Sequence, residues 1–120
     1  MTASRILVVD DSTLTLELVR TALEESGFQV ATASTIAELE AQDPKKFDLI
    51  LMDVQMPELF GDDIAAIIRH VRGARARIVL FSNLGPAELA TRTAEAELDG
   101  YICKRDGMEA LVSQVKGFLA

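Results

Sequence analysis

The chain has 120 residues, 49% of them hydrophobic, and a formal charge of −7. That length and apolar content suit one domain over residues 1–120 with a core of its own and exclude a disordered chain. The acidic balance argues against direct grip on nucleic acid, which takes a basic stripe, and no apolar run reaches the ~18 residues of a membrane span.

The segment Met1-Thr2-Ala3-Ser4-Arg5 lacks the apolar core of a signal peptide, so a cytoplasmic location is expected. The first strand is predicted over Ile6-Leu7-Val8-Val9, running into Asp10-Asp11. A first helix follows from about Ser12 to Ser26, with Leu16, Val19 and Leu23 at helical spacing and Gly27 as its stop. Residues 28–33 alternate in polarity and predict a half-buried second strand. Thr35 and Glu38 have the spacing of a capping box for a short second helix, and Asp43-Pro44-Lys45-Lys46 reads as a turn.

The third strand is predicted over Phe47 to Asp53 and is followed by a loop shaped by Met56-Pro57. A third helix begins near Gly61-Asp62-Asp63, carries Ile64, Ile67, Ile68 and Val71 on one face, and closes at Gly73. Its lone histidine, His70, falls on the outer face. Arg69, Arg72, Arg75 and Arg77 read as a solvated helix end. The fourth strand spans Arg77 to Ser82. Gly85-Pro86 opens a fourth helix whose inward candidates are Leu89, Ala90, Thr93 and Ala94, mostly small or polar, so that helix is expected to be the most weakly held. The fifth strand spans Gly100 to Lys104 and contains Cys103, the single cysteine, which reads as a reduced core residue. Asp106 is positioned to cap a last helix whose inner face carries Leu111, Val112, Val115, Phe118 and Leu119.

Strand-like and helix-like runs alternate throughout, which predicts an α/β fold with a parallel sheet. The first, third and fourth strands are continuously apolar and belong inside the sheet; the second and fifth belong at its edges. Right-handed crossovers then favour the order 2-1-3-4-5, a doubly wound, flavodoxin-like, five-stranded sheet with helices on both faces and ligands at the carboxyl ends of the strands.

In that topology Asp10, Asp11, Asp53, Ser82 and Lys104 all reach one rim. Adjacent carboxylates repel, and a hard divalent cation such as magnesium relieves the repulsion while leaving room for a phosphate. Asp53 at the sheet centre then serves as a nucleophile toward phosphorus, Lys104 supplies a second positive charge, and Ser82 donates to a phosphoryl oxygen.

These motifs, Val8-Val9-Asp10-Asp11, Leu51-Met52-Asp53-Val54-Gln55-Met56-Pro57, Phe81-Ser82 and Gly100-Tyr101-Ile102-Cys103-Lys104, resemble those of response-regulator receiver domains of two-component signalling, similar to the chemotaxis regulators, over essentially the whole chain. The resemblance implies that Asp53 accepts a phosphoryl group from a sensor histidine kinase or a phosphotransfer protein. It implies Mg2+ held directly by Asp11 and Asp53, by Asp10 largely through water, and by the backbone carbonyl of Gln55. Lys104 would bind the phosphate, and Ser82 and Tyr101 would form the switch. The downstream protein partner would bind the face made by the fourth helix, fifth strand and fifth helix. Three residues depart from the common pattern: Arg105 where many receivers have proline, Asn83 at a place often held by a small residue, and Ser82 in place of threonine. Asn83 beside the phosphoryl site implies slow self-dephosphorylation.

An interaction module that keeps the fold without being phosphorylated is the alternative, and Mg2+ binding separates the two. An aspartyl phosphatase would want an acid where Gln55 stands. The P-loop pattern is absent, and carboxylates at the first strand end disfavour a flavin phosphate. The chain is therefore read as acting on itself rather than as an enzyme on an external substrate.

Overall fold

The computed structural model describes residues 3–55, 68, 70–73 and 75–120. Five parallel strands form one sheet in the order β2-β1-β3-β4-β5, as the strand patterns predict. They are β1 (Arg5–Val9), β2 (Gln29–Ala33), β3 (Leu49–Met52), β4 (Arg77–Ser82) and β5 (Gly100–Cys103). Helices α1 (Thr13–Glu25), α2 (Ile36–Glu40), Pro86–Glu95 and Gly107–Leu119 connect or follow them. Among the described residues no helix is long and apolar enough to cross a membrane.

Pleating divides the strand side chains between two cores. Ile6, Val8, Leu49, Leu51, Val79, Phe81 and Ile102 face α1 and the C-terminal helix, meeting Leu16, Val19, Leu23, Leu111 and Val115. Leu7, Val9, Ile50, Met52 and Ile78 face the other way, toward Leu39 of α2 and Val71. Central strands covered on both sides are thus continuously apolar, while β2 is half-buried at its edge. The third predicted helix and Met56-Pro57 lie largely outside the described residues. Residues 70–72 are helical, with His70 exposed and Val71 buried.

The helix ends follow local chemistry. The Ser12 side chain accepts from Thr15 N–H at the start of α1, and Gly27, at φ 94°, takes the left-handed conformation just beyond its end. Thr35 caps α2 by accepting from Glu38 N–H at 3.0 Å, but Glu38 reaches one residue further back than a capping box predicts. Its Oε1 accepts from Ser34 N–H at 2.6 Å and from the Ser34 hydroxyl at 2.7 Å. Bonds to the backbone and then the side chain of Ser34 hold the Glu38 carboxyl below the ordinary glutamate range. Its contribution to stability is therefore present above the ordinary glutamate pKa and fades as pH falls through the lowered one. An NMR titration should place the Glu38 midpoint below that of a free glutamate, and Ser34→Ala should move it only part of the way back, because the backbone donor remains.

Two expectations need correction. Asp106 occupies the N-cap position of the last helix but makes no side-chain capping bond; its backbone is already helical, at φ −77° and ψ −9°, and Gly107 follows at φ 88°. In the Pro86–Glu95 helix, Ala90 and Ala94 are exposed, and Leu89 is its only fully buried residue. The helix turns a narrow stripe of Leu89 and half-buried Thr93 inward, so Ala90 and Ala94 rotate out to solvent. Arg72 and Arg77 are exposed, as expected of a solvated cluster, and both also have acidic partners. Arg72 reaches Glu97 at 3.3 Å and the Ala96 carbonyl, and Arg77 lies 4.0 Å from Asp99, so both fasten the segment before β5.

Gly100 opens β5 beneath the C-terminal helix. A Cβ there would stand 2.5 Å from Phe118 Cζ and 2.6 Å from Cε1. The contact is with the outer end of a half-buried ring, so displacement is feasible, and Gly100→Ala should destabilise by about 1 kcal/mol in chemical denaturation.

Candidate functional site

The chain turns away from β1 at Asp10, whose N–H bonds to the Ala33 carbonyl at 3.1 Å and whose Oδ1 accepts from Ser12 N–H at 2.9 Å. That turn buries Asp10 completely and leaves Asp11 exposed beside it. Asp53 follows β3 at the centre of the sheet and is 3% exposed; its N–H bonds to the Val9 carbonyl at 3.0 Å. Each of Asp10, Asp11 and Asp53 offers a carboxylate oxygen within 4.8 Å of the others.

Lys104 enters from the end of β5. Its Nζ lies 2.9 Å from Asp53 Oδ2 as a hydrogen bond and 2.5 Å from Asp10 Oδ2 as an ion pair without hydrogen-bond alignment. The ammonium also stands 5.5 Å from the centre of the Phe81 ring. Burial pulls the Lys104 pKa down, but its close contacts with the Asp10 and Asp53 carboxylates and their negative charge outweigh it and leave the pKa raised. Three carboxylates against one ammonium leave an excess of negative charge in a largely buried place.

Asp53 Oδ1 accepts from Gln55 N–H at 2.9 Å. The side chain of Gln55 turns the other way, and its Oε1 accepts from the Ser82 hydroxyl at 2.8 Å. Ser82 is fully buried at the end of β4, and its Oγ accepts from Leu84 N–H at 3.3 Å. The strand ends thus bring Asp10, Asp11, Asp53 and Lys104 together, with Ser82 joined to Asp53 through Gln55. Tyr101 pairs with Leu80 in the β4–β5 register and packs half-buried against the cluster of Leu80, Leu89 and Cys103. The cysteine is free and buried.

Two contacts escape sequence reasoning. The bond from Ser82 to the Gln55 side chain has no sequence signal beyond a polar residue two positions past Asp53. The other contact joins two departures: Arg105 donates to the Asn83 carbonyl at 3.3 Å, linking the loops after β4 and β5. Nothing in residue spacing signals that pair.

The donor set suits a hard divalent cation. It offers only oxygen ligands, it is net negative, and among the described residues the cation in contact with its two buried carboxylates is an ammonium that occupies the same electrostatic role. Phosphoryl chemistry is compatible with the same set.

Comparison with known proteins agrees with this architecture. The transcriptional regulatory protein PrrA of Mycobacterium tuberculosis is 32% identical over 120 residues, covering 99% of this chain and 51% of that protein. The chain spans about half the length of the curated relatives it matches. Among solved structures, Vibrio cholerae chemotaxis protein CheY4 superposes with a TM-score of 0.83 at 25% identity, covering 98% of this chain and all of that one. The BeF3-activated DrrB receiver domain does so with a TM-score of 0.81 at 28% identity, covering 98% of each chain. The family model described as the response regulator receiver domain matches residues 6–116. With that match over nearly the whole chain, on a sheet of the same order, the chain belongs to the response regulator receiver domain family of two-component systems.

Proposed function

We propose that the chain is a phosphoacceptor module in which Asp53 takes a phosphoryl group from a sensor histidine kinase or a phosphotransfer protein. The observation that carries this reading is the placement of Asp53: buried at the central strand end, bonded to Lys104, and within 4.8 Å of two further carboxylates. A carboxylate oxygen of Asp53 attacks phosphorus, the new P–O bond forms, and the bond to the donor's leaving group breaks with its electron pair leaving on that group. Lys104 balances the charge that collects on the phosphoryl oxygens, and the Ser82 hydroxyl donates a hydrogen bond to one of them. Asp10, Asp11, Asp53 and the Gln55 carbonyl are the residues that would hold Mg2+. When bound, the ion neutralises charge and orients the phosphoryl oxygens. Water then attacks phosphorus, the bond to the Asp53 oxygen breaks, and inorganic phosphate leaves with the carboxylate restored, so the chemistry acts on the module itself.

The response is proposed to travel through Ser82 and Tyr101 to the face made by the Pro86–Glu95 helix, β5 and the C-terminal helix, where a downstream protein binds. Its support is the loose seating of the Pro86–Glu95 helix. Leu89 alone is fully buried in it, and a cavity of about 460 Å³ runs along its Glu88, Thr91, Arg92 and Glu95 face, reaching Val54, Leu80 and Leu98. Leu14 and Leu18 of α1, 70% and 53% exposed, stand on the helix that begins beside Asp11 and offer an apolar footing for the phosphoryl donor. The domain itself is proposed to work in the cytoplasm without contacting nucleic acid, in keeping with its charge of −7.

Magnesium provides the test. At ten times its Kd, Mg2+ should stabilise the native chain by about 1.4 kcal/mol, read as a rise in Tm. Asp11→Ala should leave the metal-free Tm nearly in place, since Asp11 is exposed, while weakening the Mg2+ response. A native chain indifferent to Mg2+ would contradict the reading.

A further inference from the structure

The Ser82 hydroxyl carries a single proton, and that proton is already engaged by Gln55 Oε1 at 2.8 Å. The hydroxyl is fully buried and its oxygen is occupied as well, accepting from Leu84 N–H. Gln55 thus reaches both partners of the proposed chemistry: its backbone N–H binds Asp53 Oδ1, and its side chain holds Ser82. We propose, on the phosphoacceptor reading above, that the Gln55 side chain is a positioning residue that holds the Ser82 hydroxyl in the resting arrangement and sets how readily phosphoryl occupancy recruits it.

For Ser82 to donate to a phosphoryl oxygen on Asp53, it must release Gln55 first, because one O–H cannot serve two acceptors in full. The bond formed to a charged phosphoryl oxygen is stronger than the neutral one released, so the exchange runs forward. It runs forward by less than it would from a hydroxyl with no resting partner. Removing the acceptor leaves a buried hydroxyl proton for which the phosphoryl oxygen becomes the replacement acceptor. The substitution Gln55→Leu does this at similar volume and keeps the backbone N–H to Asp53 and the backbone carbonyl. Gln55 is exposed, so the change is tolerable to the fold.

The probe is beryllofluoride with Mg2+, which mimics a phosphoryl group on a carboxylate, with bound fluoride followed by fluorine NMR. Gln55→Leu should bind it about fivefold more tightly than the native chain, the factor that corresponds to one ordinary hydrogen bond. In a Ser82→Ala background the same substitution should change affinity by less than about twofold, since the bond it removes is already gone. No gain in Gln55→Leu would overturn the proposal, and so would an equal gain in both backgrounds, which would show that Gln55 acts without Ser82. A folded native chain that does not bind beryllofluoride at all would instead overturn the phosphoacceptor reading, and this proposal with it.

Discussion

Lys104→Met is expected to destabilise the Mg2+-free fold by about 3 kcal/mol, the low end of what breaking a buried ion pair entails. The lower figure is appropriate because the Lys104 side chain is 14% exposed, while its partners Asp10 and Asp53 are almost wholly buried. Methionine keeps most of the apolar stem and removes the ammonium, so two buried carboxylates are left facing each other. The same geometry fixes the sign of a pH effect. The Lys104 pKa is raised in the folded chain, so its stabilisation is complete below the ordinary lysine pKa and is lost as pH rises through the raised value. Native stability should therefore fall in strongly alkaline solution, and the variant should lack that component. Added Mg2+ should restore more stability to Lys104→Met than it adds to the native chain, because the ion meets carboxylates with no competing ammonium. Chemical denaturation with and without Mg2+ reads all three effects. A loss below about 0.5 kcal/mol would class the contact with exposed surface pairs and remove its structural importance.

The sheet was legible because apolar runs encode their own position. Ile6–Val9, Leu49–Met52 and Ile78–Phe81 are apolar on both faces, and both faces are covered. The alternation over residues 28–33 marks an edge, which β2 occupies. Strand ends were less sharp. The third strand stops at Met52 and the fifth at Cys103, where the chain enters a 3-10 turn at Lys104 and the Lys104 side chain reaches Asp53. The Pro86–Glu95 helix was readable as weakly held, but not which of its small residues face inward: alanine carries too little apolar area to decide a face.

The convergence of Asp10, Asp11, Asp53 and Lys104 was legible for a topological reason. Parallel strands place all their carboxyl ends on one rim, so a residue that follows a strand is located once the strand is. The reach of a side chain between loops has no such period. The bonds Gln55 to Ser82 and Arg105 to the Asn83 carbonyl join residues 27 and 22 positions apart, with loop geometry deciding each. The same limit applies to Glu38, which chose Ser34 over Thr35, and to Asp106, which stands at a cap position without capping. In each case the residue type was right for its neighbourhood, and the particular partner depended on backbone turns of one or two residues.

Asp53→Ala is expected to abolish phosphoryl uptake outright, the largest effect foreseen for any single side chain. Among the described residues no other group at the rim combines a carboxylate nucleophile, a bond to Lys104 and a place at the central strand end. Asp10 is completely buried, and Asp11 projects to solvent without a described hydrogen bond to orient it. Alanine also removes one of the three carboxylate donors, so metal and nucleophile are weakened together. The most direct measurement is intact-mass analysis after incubation with a small acyl-phosphate donor, with and without Mg2+, on the native chain and on Asp53→Ala. A gain of one alkali-labile phosphoryl group that requires both Mg2+ and Asp53 is the predicted result. A folded native chain that gains none under any of these conditions would contradict it and point to an interaction module that works without phosphorylation.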